Sequence, residues 1–220
     1  AAGFDALALT VDTIVSGKRE RCLRSGFTTP PRFTTRALWS YATRPRWTLD
    51  YLLREPFRLP NLETHVAEGT RKAVSIAEYF NTMLDVSMDW ETAARIRENW
   101  GGTFVLKGVM SAGDARRAVE IGADAIMISN QLPEIVDAVG GKIEIICDGG
   151  IRRGTHVLKA LCSGASAASG GRLYLYALAA AGEAGVARAL AILKDEIERG
   201  MRLMGVKHIA ELTPDRLRRR

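Results

Sequence analysis

Two short glycine turns hold the residue types from which a phosphate site is built. The first, Asp148-Gly149-Gly150-Ile151-Arg152, follows the run IEIIC, and the second, Gly170-Gly171-Arg172, follows ASAAS. IEIIC is apolar and rich in β-branched residues, as expected of a strand buried on both faces, and glycine ends it where a sharp turn is needed. HVLKAL then has helical spacing, and Ser163-Gly164 closes that helix. The stretch Ile143–Arg172 therefore reads as a βαβ unit in which two successive strands each end in glycines followed by an arginine. Loops after consecutive strands of a β/α barrel hold phosphate in this manner, through backbone N–H groups. The glycines let the backbone approach the anion, while Arg152 and Arg172 supply charge. One glycine pair alone would be ordinary loop punctuation. Repetition after consecutive buried strands is what points to phosphate.

A third chemical group lies upstream. Lys107 stands at the end of the apolar strand TFVLKGV, and the C-terminal ends of strands form the catalytic side of a barrel. The elements that must position these residues are readable in order. ALALTVD and AIMIS are further strands, which brings the total to five with TFVLKGV, IEIIC and ASAAS. Met88–Trp100 has helical spacing of Trp90, Ala94, Ile96 and Trp100, ended by Gly101-Gly102. In SAGDARRAVEIGADA, Ser111 is placed to cap a helix, Asp114 falls in its first turn, and Gly122 closes it. LPEIVDAVG is another helix. Alternating strands and helices imply an α/β fold with a parallel sheet. ASAAS is poor in β-branched residues, so the last strand is expected to be weak.

The chain has 220 residues, of which 47% are hydrophobic and 25% charged, a globular composition with enough length for a sizeable core. A complete eight-stranded barrel typically needs about 250 residues. No uninterrupted apolar run approaches the roughly 20 residues of a membrane span, and AAGFDALALT lacks the features of a signal peptide. Cys22, Cys147 and Cys162 show no metal-ligand spacing, and reduced thiols in a cytoplasmic setting are expected. The net charge of +6 comes without a nucleic-acid-binding motif, so no nucleic-acid partner is expected.

The stretch Arg32–Arg58 differs from the rest. Six arginines and two acids alternate there with Trp39, Tyr41, Trp47, Tyr51 and Phe57, and Pro45, Pro56 and Pro60 divide it into short pieces. Basic residues beside exposed aromatic rings suit the headgroup layer of an anionic membrane. The alternative is a surface excursion whose aromatics cover the barrel rim. The wider insertion, residues 32–86, includes a short helix expected around Ala73–Met83.

CDGGIRRGTHVLKAL, followed by GRLYLYALAAAGEAGVARALAILKDEIERGMRLMGVKHIAELTP, resembles the C-terminal part of the FMN-dependent α-hydroxy acid dehydrogenases and oxidases, the group of lactate and mandelate dehydrogenases and glycolate oxidase. The resemblance extends to ALTVD, GKRER and FVLKGVMSAGDARRAVEIGADAIMISN, nearly the whole chain outside Thr34–Val86. It implies a TIM (β/α)8 barrel of the FMN-linked type, present here as about strands 4 to 8. The implied chemistry is oxidation of a small 2-hydroxy acid to the 2-oxo acid, with FMN as cofactor. By resemblance Thr10, Lys107 and Ser129 contact the flavin, and Asp148, Gly149, Gly150, Ile151, Arg152, Gly171 and Arg172 hold the cofactor. Asp12 would orient the family's catalytic histidine, and Arg19 would approach the substrate. Read without the resemblance, Asp12 is a turn or cap acid and Arg19 a solvated loop cation. The membrane-associated bacterial members carry an excursion where Arg32–Arg58 lies, which implies a peripheral site on the inner face of the cell membrane. A homo-oligomer is implied for the full barrel.

One departure bears on the chemistry. After the residues matching Ser129 and Asn130 the family has a histidine, two glycines, an arginine and a loop, whereas here Gln131-Leu132-Pro133 follows directly. The resemblance resumes at once in LPEIVDAVG. Taking a proton from a hydroxyl needs a group of near-neutral pKa within hydrogen-bond reach. Of His65, His156 and His208, only His156 is close to the cofactor turn in sequence. Leu173 also replaces the family's proline after the second Gly-Arg pair. The expectation is a chain of this lineage with impaired turnover, or a noncatalytic remnant keeping a phosphate or flavin site.

Overall fold

The computed structural model of the chain describes residues 3–13, 20, 34–53, 87–129 and 131–218. They fall into two compact units, Ala1–Asp12 with Met88–Arg220, and Thr13–Ser87. In the larger unit five strands, β1 (Ala6–Thr10), β2 (Thr103–Val109), β3 (Ala125–Ile128), β4 (Glu144–Asp148) and β5 (Ala167–Ser169), form one sheet in sequential order. All four pairings are parallel. Parallel neighbours need a crossover, and helices supply it between β2 and β5. Sequential parallel order is the arrangement of a barrel wall, here a partial one.

The smaller unit contains helices α1 (Thr35–Ala42) and α2 (Pro45–Leu53). Thr34 caps α1 by accepting the Ala37 N–H. Tyr41, Trp47 and Tyr51 stack in a row, with ring planes within 5° of parallel. Trp39 is 72% exposed and Leu53 84%. The helix expected at Ala73–Met83, together with Cys22, Arg19 and His65, lies outside the described residues.

In the larger unit, α3 (Trp90–Trp100) precedes β2, and α4 (Ala112–Glu120), α5 (Leu132–Val139) and α6 (Gly154–Cys162) connect successive strands. Local signals fix their ends. Asp89 caps α3 by accepting the Thr92 N–H, and Ser111 caps α4 by accepting that of Asp114. Gly101 ends α3 in the left-handed region, at φ 66°. Phe104, Leu106, Ile126, Ile128 and Ile135 are fully buried between sheet and helices. The strand period of two sends Val105, Lys107 and Met127 to the opposite face, where they are half-exposed. At the N-terminal ends of the strands, Asp124 accepts the Phe104 N–H and Ser166 that of Ile145.

β5 is weak, as its composition implies: it covers only Ala167–Ser169, because alanine and serine give a strand little side chain to pack. The final helix, α7, runs over Gly171–Leu203 but breaks at Ala181 and Gly182, whose backbones are non-helical. An 18-residue window of α7 has a mean hydropathy of 1.4, and none of it is buried. By length and composition α7 therefore passes as a membrane span, contrary to the reading of the uninterrupted runs alone. Glu183 and Arg188 interrupt the apolar sequence, and the surrounding leucines and alanines keep the average high.

Candidate active site

Strand register brings the candidate residues to one edge. Thr10 pairs with Lys107, Lys107 with Met127, and Met127 with Ile146. These four form a row on the face opposite that of Leu106, Ile126 and Ile145, which are buried, and Leu9, which is partly so. Asp148 lies two residues beyond Ile146, hence on the same side as Lys107. Its Oδ2 is 3.9 Å from Lys107 Nζ, with the side chains 23% and 35% exposed. The Lys107 ammonium thus stands at the strand ends with a counter-charge.

Beyond β4 the backbone turns through Gly149 and Gly150, at φ 109° and 73°. These values favour glycine, and at Gly149 a Cβ would lie 3.6 Å from Ser129 Cβ. The turn is thereby laid against the end of β3. Ile151, 7% exposed, anchors it in the core. A Cβ at Gly170 would come 3.4 Å from the Ile151 carbonyl oxygen, so the two glycine turns adjoin. Nothing lies within 4 Å of where a Cβ would stand at Gly150 or Gly171. Arg152 and Arg172 are exposed and make no ion pair among the described residues.

This donor set fits the phosphate end of a nucleotide-like cofactor. It offers two bare turns, open space over both, two uncommitted guanidinium groups, and an α7 N-cap, Gly170, without a side-chain hydrogen bond. Asp12 is exposed beside β2. A Cβ at Gly108 would lie 2.5 Å from Asp12 Cγ, and the Val11 N–H donates to the Lys107 carbonyl at 2.9 Å. Glycine at 108 makes room for that carboxylate, at the point where the β2–β3 register shifts.

The other half of the site is different. Between Ser129 and Leu132, Gln131 is held at φ 58°, ψ 30° and starts α5 without a side-chain capping bond. Among the described residues it is the one non-glycine with positive φ. That conformation costs an L-residue roughly 1–2 kcal/mol. No histidine stands there. His156 is placed otherwise: its Nδ1 accepts the Arg152 N–H at 3.2 Å, so in this arrangement the remaining proton is on Nε2. It braces the turn that follows β4. His208 is exposed at the start of a short 3₁₀ turn.

Sequence reasoning missed Glu196. This residue of α7 accepts the Gly154 N–H through Oε2 at 2.7 Å and meets Arg153 through Oε1 at 2.6 Å. No local spacing announces it, since its partners are 42 and 43 residues away and only helix packing joins them. Within β4, burial, and then the neighbouring Asp148 charge, raise the pKa of the Cys147 thiol.

The family model for FMN-dependent dehydrogenases matches residues 1–219. The chain belongs to the FMN-dependent dehydrogenase family. FMN is accordingly the cofactor of the family that this chain belongs to. A putative L-lactate dehydrogenase of Mycobacterium tuberculosis (strain ATCC 25618 / H37Rv) is 38% identical over 97% of the chain, and an L-lactate dehydrogenase of Pseudomonas entomophila (strain L48) is 40% identical over 99%. The chain spans 53% and 60% of these two relatives' lengths. The crystal structure of the monotopic membrane protein (S)-mandelate dehydrogenase superposes with a TM-score of 0.89 at 33% identity. That match covers 99% of this chain and 61% of the other. The parallel strands of the chain thus match part of a TIM barrel.

Proposed function

We propose that this chain carries the FMN-binding, C-terminal part of a lactate- or mandelate-type 2-hydroxy acid dehydrogenase. The observation that carries the reading is the meeting of Lys107, Asp148, Ser129 and the two adjoining glycine turns at one end of the parallel strands. Gly149–Arg152 with Gly171 and Arg172 would hold the phosphate, while Thr10, Lys107 and Ser129 would line the flavin. When bound, FMN supplies the acceptor for the hydride leaving the substrate carbon. Lys107 contributes positive charge at the strand ends, and Asp148 holds its ammonium there. Asp12 and Arg19 are the residues proposed for the substrate side.

The direct test is titration of FMN with the purified chain, followed by quenching of flavin fluorescence. Saturable quenching is expected, and Arg172→Ala should weaken it by about 1.5–3 kcal/mol, the range of a charged hydrogen bond. Unchanged affinity would remove Arg172 from the site, and the absence of saturable quenching would reject the reading.

A second reading concerns turnover. Gln131, in its left-handed conformation at the junction where the family carries its base, favours a chain that keeps the cofactor site without the chemistry. His156 does not replace the base while its Nδ1 serves Arg152. For partners, the exposed Trp39, Leu52 and Leu53 of α1 and α2 support contact with an anionic membrane surface through residues 32–58. The monotopic character of the related (S)-mandelate dehydrogenase supports it further. A peripheral position on the inner face of the cell membrane, and a homo-oligomer of the complete barrel, complete this proposal.

A further inference from the structure

The two arginines of Ile151-Arg152-Arg153-Gly154 are adjacent in sequence but differ in what they touch. Arg153 Nη2 reaches Glu196 Oε1 at 2.6 Å, whereas Arg152 has no ion-pair partner among the described residues. Glu196 is 19% exposed and uses both carboxylate oxygens, one on Arg153 and one on the Gly154 N–H. Its approach requires glycine at 154, where a Cβ would lie 2.5 Å from Glu196 Cβ and 2.6 Å from the Ile197 nitrogen. One turn further along both helices the relation is reversed, with Gly200 of α7 facing Leu158 of α6. Leu158, Cys162, Val206 and Leu212 form a small buried cluster behind this contact, with Ile197 and Met201 packed on it. The start of α6 is therefore fixed by a carboxylate that α7 carries.

This matters for the neighbouring turn. The N–H of Gly154 is taken by Glu196 and that of Arg152 by His156, so neither is free for an anion. A phosphate at this edge must use the open backbone at Gly150 and Gly171 together with the arginine side chains. If Arg153 were unpaired, two flexible cations would compete for one anion, and the turn would have no fixed exit into α6. We propose that Glu196 is a positioning residue of the cofactor site. It binds Arg153 away from the phosphate and sets the Ile151–Gly154 turn, so that Arg152 is the arginine presented to the anion. The inference rests on the FMN reading above, and it concerns the phosphate end alone.

Riboflavin, which has the flavin ring but no phosphate, separates this role from simple helix stapling. Fluorescence titrations with FMN and with riboflavin would be run on the whole chain and on Glu196→Ala, Glu196→Gln and Arg153→Ala, after far-UV circular dichroism. Glu196→Ala should lower FMN affinity about tenfold or more, the lower end for a charged hydrogen bond, and leave riboflavin affinity unchanged. Glu196→Gln keeps an acceptor for the Gly154 N–H, and Arg153→Ala keeps the carboxylate, so each should show a smaller loss confined to FMN. Should Glu196→Ala fail to fold, these two variants decide. An unchanged ratio of FMN to riboflavin affinity in the folded variants, or equal losses for both ligands, would overturn the positioning role. If the unaltered chain bound FMN no better than riboflavin, the phosphate reading itself would fail, and this inference with it.

Discussion

Replacing Gly154 by alanine tests the α6–α7 contact most severely. The added Cβ would lie 2.5 Å from Glu196 Cβ and 2.6 Å from the Ile197 nitrogen. Carbon atoms in van der Waals contact sit about 3.5–4.0 Å apart, so α7 would have to withdraw by about 1 Å. That displacement strains or breaks the 2.7 Å hydrogen bond from Gly154 and the 2.6 Å contact with Arg153. Overpacking costs about 1–3 kcal/mol, and a hydrogen bond to a charged group contributes about 1.5–3 kcal/mol. Reduced unfolded-state entropy returns roughly 0.4–1 kcal/mol, leaving a net loss of about 2–5 kcal/mol. Against a typical domain stability of about 5–15 kcal/mol this is a large fraction. Urea unfolding followed by circular dichroism gives the value. Gly171→Ala is the control, because nothing lies within 4 Å of its added carbon. It should be neutral or stabilising by about 0.5–1 kcal/mol. A loss below about 1 kcal/mol at Gly154 would refute the tight-contact argument. An equal loss at Gly171 would show that the contact is not its source.

Co-sedimentation with anionic vesicles should fall as salt rises, because the arginines of residues 32–58 act through a screened interaction; equal recovery with neutral and anionic vesicles at low salt would support a surface excursion instead. Anaerobic mixing of the FMN-loaded chain with lactate or mandelate should bleach the flavin slowly. Loss of a general base alone removes about 10²–10⁴ in rate, so bleaching at the speed of a lactate or mandelate dehydrogenase measured alongside would contradict the proposed defect. Cys147 is raised above its ordinary 9.0, first by burial and then by Asp148. Its contribution to stability should be fully present below the unfolded pKa and be lost as pH rises through the folded one. Unfolding midpoints compared with Cys147→Ala across alkaline pH check this, and a difference independent of pH would refute it.

The five strands were legible because each is a short apolar run stopped by a turn residue, and their sequential parallel order followed from the helices between them. Ends of helices were legible where a capping residue marks them, as Ser111 and Gly101 do, whereas the cap from Asp89 fell inside the stretch read as helix. Lys107 and Asp148 could be placed at strand ends from pattern alone. Their 3.9 Å approach depends on register between strands that are not neighbours, which no local pattern encodes. Glu196 and the brace from His156 were illegible for a related reason. A half-buried carboxylate 42 residues from its partner looks, in sequence, like any other acid on a charged helix face. The break in α7 was equally hidden, since Ala181-Gly182 sits in a run of strong helix formers.

That break divides α7 into two rods of unequal character. The first, Gly171 to Ala180, is about 15 Å long at the rise of an α-helix, half of the roughly 30 Å of bilayer hydrocarbon. The second is long enough but carries Lys194, Asp195, Glu196, Glu198, Arg199 and Arg202, and Glu196 is already committed to α6. Each lysine, arginine or aspartate held at mid-bilayer would cost about 2.5–3.5 kcal/mol on the insertion scale. Between the rods, the backbone of Ala181 and Gly182 leaves the helical path, and hydrocarbon offers no partner to peptide groups released there. To cross a bilayer, α7 would have to straighten at Gly182 and surrender its grip on α6. The apolar average of this helix therefore measures side chains that suit a protein surface or an interface, on a scaffold bent at the wrong place for a transmembrane rod.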